Sequence, residues 1–303
     1  MIADRLAKAV RRTGSVACVG LDPRPDRLPV AIREQMRGDR PQDWAEAYRQ
    51  FCFAIIDQVR DRVPCVKPQS AFFEALGPSG VAAMADIIAH ARSAGLLVIV
   101  DAKRNDIGST AEGYADAYLG RDSPFGGDFL TVSPYLGSDS LEPFVQAAVE
   151  RDAGLFVLVK TSNPGGGFLQ DRRSDGQRVF EAVADLVEDL SRQHRGDGES
   201  NYGPIGAVVG ATYPQQLGEL RQRMPHSWLL IPGFGAQGGD ADDVRHGMDA
   251  DGLGGIVNSS RAIIFAHARD EFRDRWAPED WALAVAAATD QMNETLRGVV
   301  SPA

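Results

Sequence analysis

Residues Val98 to Tyr114, V-I-V-D-A-K-R-N-D-I-G-S-T-A-E-G-Y, pass from an apolar run through a charged turn into a helical pattern. The β-branched opening makes Leu96–Val100 the pattern of a strand buried on both faces. Ser109 with Glu112 three residues later has the form of a capping box, and Ala111 to Leu119 continues as helix. Between the two lies D-A-K-R-N-D. Side chains alternate along a strand, so Asp101 and Lys103 face the same way, and Asp106 follows where the chain turns. An ion pair at a strand end beside a turn-capping Asp would account for an arbitrary D-x-K-x-x-D. The apolar run feeding this one argues for more, because charges there lose hydration and must be held by one another.

The same strand-to-helix switch recurs outward in both directions. Further buried strands are expected at Ser15–Leu21, in V-P-C-V-K-P-Q-S ending at Lys67, and at Asp128–Ser133, Leu155–Lys160, Ile205–Gly210, Trp228–Pro232 and Gly255–Ser260. Helical patterns stand between them at Gln42–Arg60, Gly80–Ala94, Ser140–Arg151, Gln177–Gln193 and Gln215–Arg223, with a first helix before Ser15 and a last at Pro278–Leu296. Eight strands alternating with helices predict an α/β fold, a single (β/α)8 TIM barrel domain over residues 1–303 with extended βα loops near 24–41 and 165–200. The competing architecture, a doubly wound open sheet, would want a G-x-G-x-x-G after the first strand, and none is there.

Composition narrows the function classes. The 303 residues carry 32 basic against 42 acidic groups, a formal charge of -10 that argues against a nucleic-acid or anionic-membrane surface. No segment approaches the roughly 18 apolar residues of a membrane span, and the charged amino terminus reads as a short amphipathic helix rather than a signal peptide, so a cytoplasmic location is expected. Cys18, Cys52 and Cys65 are scattered without C-x-x-C spacing and read as buried reduced thiols. The five histidines have no partner at ligand spacing, so neither a metal site nor a histidine base is expected.

In a barrel, chemistry collects at the carboxyl ends of the strands, and Asp22, Lys67, Asp101, Lys103, Ser162, Gln237 and Arg261 all fall there. Neighbouring strands two and three bring Lys67 to Asp101 and Lys103, with Asp106 as a fourth member. A lysine there supplies a positive charge and a donatable proton, as a developing carbanion requires. The glycine-rich G-F-G-A-Q-G-G after strand seven, with a helix start behind Asp240 and Arg261 after strand eight, suits a phosphate. Asp22 either caps its turn or accepts ligand hydroxyls. Ser162 is either turn chemistry or a ligand contact, and the glycines at 165–167 suit a mobile lid.

Together D-A-K-R-N-D-I-G-S-T, V-K-P-Q-S-A-F-F-E, G-L-D-P-R-P-D, K-T-S-N-P-G-G and P-G-F-G-A-Q-G-G-D resemble the orotidine 5′-phosphate decarboxylase family in its longer bacterial type, across the whole barrel. The resemblance implies conversion of orotidine 5′-phosphate to UMP in pyrimidine biosynthesis, without metal or organic cofactor, in a homodimer with shared active sites. It makes Lys103 the proton donor to C6 and sets Asp101 beside the substrate carboxylate, with Lys67 on the ribose and in the charge network. Asp106, Ile107 and Thr110 would reach the partner's site, Asp22 the ribose hydroxyls, Ser162 the pyrimidine edge, and Gln237 with Arg261 the phosphate. Two alternatives are a metal-dependent decarboxylase of a sugar-acid phosphate on the same barrel and a phosphate-binding regulatory barrel without catalysis.

Overall fold

The computed structural model describes residues 1–234, 241–273 and 275–300, and each of the expected apolar runs is a strand in it. They are β1 (Ala17–Leu21), β2 (Cys65–Pro68), β3 (Leu97–Arg104), β4 (Phe129–Val132), β5 (Gly154–Lys160), β6 (Ile205–Val209), β7 (Leu229–Ile231) and β8 (Gly255–Ser259). All pair in parallel, each strand with its neighbours in sequence, and β8 returns to β1 to close the barrel. An open doubly wound sheet is thereby ruled out. Both faces of each strand are covered, one by the barrel interior and the other by helices, which is why the runs are apolar without alternation.

The helix Ile2–Thr13 lies across the amino ends of the strands. Arg5 Nη2 meets Asp128 Oδ1 at 2.5 Å just before β4, and Asp4 Oδ1 accepts the Ser200 amide at 2.8 Å ahead of β6. That end of the barrel is thus closed, leaving the carboxyl end for chemistry. The helix Pro41–Val59 buries Tyr48, Phe51, Ile55 and Val59 as one stripe, and Phe51 stacks between Phe265 and Trp281 at 5.8 and 5.2 Å. Each such buried side chain contributes about 1.5–3 kcal/mol. Cys18, Cys52 and Cys65 are free and buried, and burial holds the Cys52 and Cys65 thiols well above their usual range.

Departures from expectation cluster at the carboxyl ends. β3 runs on to Arg104 rather than stopping at Val100. The helix after it begins at Gly108 with Ile107 as N-cap and without a side-chain cap, so Ser109 lies inside the first turn and the expected capping box does not form. The loop after β5 carries structure of its own, a short helix Gly167–Gln170 and a hairpin pairing Arg173–Ser174 with Gln177–Arg178. No helix among the described residues is long and apolar enough to cross a membrane.

Candidate active site

Asp101 is the centre of the site. It lies 6% exposed near the end of β3, and its two carboxylate oxygens are fully engaged. Oδ2 receives Lys67 Nζ at 2.6 Å and Gln69 Nε2 at 3.0 Å, while Oδ1 receives Lys103 Nζ at 2.6 Å and Thr131 Oγ1 at 3.0 Å. Three adjacent strand ends, β2, β3 and β4, therefore meet on one carboxylate. Burial alone would push its proton affinity up, but the Lys67 and Lys103 charges outweigh this and hold it well below the usual carboxylate range. Lys67 is 5% exposed; burial disfavours its charge, yet Asp101 and then Asp22 hold its ammonium well above the usual lysine range. The two directions agree, and both groups stay ionised.

Lys103 reaches Asp101 by a route that strand alternation does not describe. Its backbone is left-handed, with φ of 48°, a conformation that costs a non-glycine residue about 1–2 kcal/mol. The register of β3 on β4 shifts between Val100 and Arg104, and regular pairing resumes where the Ser133 amide bonds Arg104 O at 2.9 Å. Within the shift, the Lys103 amide donates to Thr131 Oγ1 at 2.9 Å. Arg104 pins the far side through Glu74, the Tyr118 hydroxyl at 2.9 Å and the Tyr114 and Tyr118 rings. Half of the Lys103 side chain remains exposed, so its ammonium faces the open end of the barrel.

Asp22 follows β1 and accepts a 2.6 Å hydrogen bond from Ser260 Oγ on Oδ2, while its buried Oδ1 has no partner among the described residues. A buried carboxylate oxygen left open in this way is an acceptor awaiting a donor. On the opposite side, Lys160 at the end of β5 is buried with Asp171 Oδ1 at 2.6 Å, under the rings of Phe180 and Tyr213. Gln170 closes the same loop by donating to Thr161 Oγ1 at 2.8 Å and accepting the Thr161 amide at 3.1 Å. Ser162 sits in that turn against Gly210, where a Cβ would come within 2.9 Å of the Ser162 Cα; glycine at the end of β6 lets the turn approach.

The family described as Orotidine 5′-phosphate decarboxylase / HUMPS matches residues 16–271. The chain belongs to that family. An orotidine 5′-phosphate decarboxylase from Rhodopirellula baltica is 60% identical over 300 residues, covering 98% of this chain and 99% of its own. Another from Haloarcula marismortui is 45% identical over 265 residues, 87% of this chain and 86% of its own. Among solved structures, Leishmania donovani OMP decarboxylase superposes with a TM-score of 0.73 at 32% identity, covering 98% of each chain. Leishmania donovani UMP synthase superposes at 0.75 and 34% identity, with 98% of this chain on 56% of that one.

Of the residues the family resemblance selects, Lys67, Asp101 and Lys103 come together as one hydrogen-bonded network, and Asp22 couples to Lys67 by charge. Asp106 does not join them within the chain; its carboxylate accepts the following Ile107 amide at 2.9 Å instead. Ile107, 57% exposed, and Thr110, on the first turn of the following helix, point away from the barrel's own core. Arg261 is exposed at the start of the short helix after β8. Gln237 and the rest of the glycine-rich stretch at 235–240 lie outside the described residues. Gln69 and Thr131 were not singled out from sequence. Gln69 stands two residues beyond Lys67, as Lys103 stands beyond Asp101, and Thr131 is the polar residue inside F-L-T-V; those spacings were the available signals.

Proposed function

We propose that this protein removes CO2 from orotidine 5′-phosphate to give UMP, as the last step of de novo pyrimidine nucleotide synthesis. The observation that carries the reading is the buried Lys67–Asp101–Lys103 network at the open end of a barrel of this family. Breaking the bond between C6 and the carboxylate leaves the electron pair on C6, where no adjacent carbonyl delocalises it well. An ammonium already fixed beside that carbon stabilises the charge as it forms and needs no reorganisation. Lys103 then delivers a proton to C6 and recovers one from solvent through its exposed side. Asp101, ionised between two ammonium groups, keeps Lys103 charged and aimed.

The remaining assignments are those that the family resemblance implies. Lys67 and the open oxygen of Asp22 meet the ribose hydroxyls, Ser162 the pyrimidine edge, and Arg261 with Gln237 the phosphate. The whole chain acts as one barrel domain, in the cytoplasm, as a homodimer. Asp106, Ile107 and Thr110 complete the partner's site across a two-fold interface. The exposed apolar side chains of Ile107, Tyr135 and Leu136, following β3 and β4 on the same rim, support a partner there. Nothing in the named relatives favours a decarboxylase of a sugar-acid phosphate.

The test is loss of orotidine 5′-phosphate absorbance with the purified protein, in the presence and absence of EDTA. UMP should form at the same rate in both. No UMP under either condition would overturn the reading, and activity abolished by EDTA and restored by a divalent metal would move it to the metal-dependent alternative.

A further inference from the structure

We infer that Thr131 is a positioning residue for the proton donor, its single hydroxyl holding both the Lys103 backbone and the carboxylate oxygen on which the Lys103 ammonium rests. The inference builds on Lys103 as the donor in the proposed reaction. Thr131 lies in β4 between Leu130 and Val132 and is 1% exposed, so its hydroxyl is a polar group in an otherwise apolar strand.

A hydroxyl has one proton to donate and lone pairs to accept with. Here the proton goes to Asp101 Oδ1 at 3.0 Å, and the lone pair takes the Lys103 amide at 2.9 Å. Asp101 Oδ1 is the oxygen that also receives Lys103 Nζ at 2.6 Å. The contacts therefore form a closed ring, from the lysine backbone through the threonine and the carboxylate back to the lysine side chain. Fixing both ends of one side chain fixes where its ammonium points.

The need for such a ring comes from the backbone. Between Val100 and Arg104 the β3 ladder on β4 is interrupted, so the Lys103 amide has no carbonyl of β4 to bond. The Thr131 hydroxyl takes the carbonyl's place, and it does so at a residue held at φ of 48°, which a lysine does not adopt unaided. Without that acceptor the backbone at Lys103 is free to return to an ordinary conformation, swinging the side chain away from C6. Thr131 is assigned no contact with substrate and acts only through Lys103 and Asp101. Valine has the same branched shape and offers neither bond, whereas serine keeps both.

Three measurements on Thr131→Val and Thr131→Ser test this: kcat and KM for orotidine 5′-phosphate, the dissociation constant of UMP, and hydrogen exchange at the Lys103 amide. A misplacement of about 1 Å at a reacting group costs on the order of 100-fold in rate, so Thr131→Val should lose about 10- to 100-fold in kcat. KM and UMP affinity should stay near wild type, and the Lys103 amide should exchange faster. Thr131→Ser should keep the rate and the protection. If the valine variant fails to fold, Thr131→Cys, with a weak acceptor of similar size, carries the same expectation. Wild-type kcat with an unchanged Lys103 amide in Val or Cys would overturn the inference. So would equal loss in Ser and Val, which would make shape rather than the hydroxyl the cause, or a loss confined to KM. Should the wild-type protein itself fail to consume orotidine 5′-phosphate, the proposed reaction falls, and the exchange measurement still decides whether the hydroxyl holds the lysine.

Discussion

At the scale of single residues, the buried charge of Asp101 ties stability to pH in a way that can be signed. Its carboxyl is held below its unfolded value of roughly 3.9, so its contribution is present above about pH 4 and is lost as pH falls toward the lowered native value. Lys67 is held above its unfolded value of roughly 10.4, so its contribution is present below about pH 10 and is lost as pH rises through the raised native value. Removing one partner of a buried pair leaves the other charge uncompensated, so Asp101→Asn should cost about 3–5 kcal/mol at pH 7. The deficit should hold steady from about pH 5 to 9 and shrink toward pH 3, where the carboxyl of the unfolded wild-type chain takes up a proton while the folded one stays ionised. Urea titrations of both proteins at several pH values measure it, and a deficit that widens in acid would contradict the picture. Charge is also what made this part of the site legible. Lys67, Asp101 and Lys103 stand out because ionic groups interrupt apolar strands, whereas Gln69 and Thr131 are neutral and matter only once the turn at Lys103 has placed the Asp101 oxygens.

At the scale of elements, the loop after β5 is anchored by one internal ion pair. Lys160 is almost wholly enclosed and Asp171 partly open, so Asp171→Asn takes the counter-charge from a buried ammonium that also lies against the Phe180 and Tyr213 rings. That variant should melt at a lower temperature and be cut faster by protease between residues 161 and 178. KM for orotidine 5′-phosphate should rise more than kcat falls, because the same loop carries Ser162. An unchanged melting temperature and digestion pattern would show that the pair does not hold the loop. Strands were legible because a strand covered on both faces is an uninterrupted apolar run, and their ends were correct to within a few residues, as with Phe129–Val132 inside the expected Asp128–Ser133. The element ends at the chemistry were less so. The capping-box pattern at Ser109 and Glu112 yielded to a helix that starts two residues earlier, behind Ile107. The extension of β3 to Arg104 depends on the Thr131 and Tyr118 contacts, which no local pattern displays.

At the scale of the whole molecule, the closed barrel explains why residues 34 or more apart, such as Lys67 and Asp101, meet at one rim while the first helix seals the other. The alternation of eight apolar runs with helices was enough to read the closed sheet. That Asp106 stands apart from its own chain's network runs against the strand-end pattern, which gathers it with Lys67, Asp101 and Lys103; only the family resemblance placed it elsewhere. If sites are shared, mixing Asp106→Ala with Lys103→Ala chains makes hybrids in which one of two sites is intact. Random exchange makes half the dimers hybrid, so about a quarter of wild-type activity should return. No recovery after verified subunit exchange would make each site self-contained.

Lys103 is the residue on which the proposed reaction turns. Lys103→Ala should abolish detectable conversion of orotidine 5′-phosphate to UMP while UMP still binds, because in the proposed reaction its loss removes the ammonium at C6 and leaves the proposed ribose and phosphate contacts in place. The direct measurement is single-turnover UMP formation by that variant beside UMP titration of the same preparation. Binding with no turnover is the predicted result; a near-normal rate would contradict it.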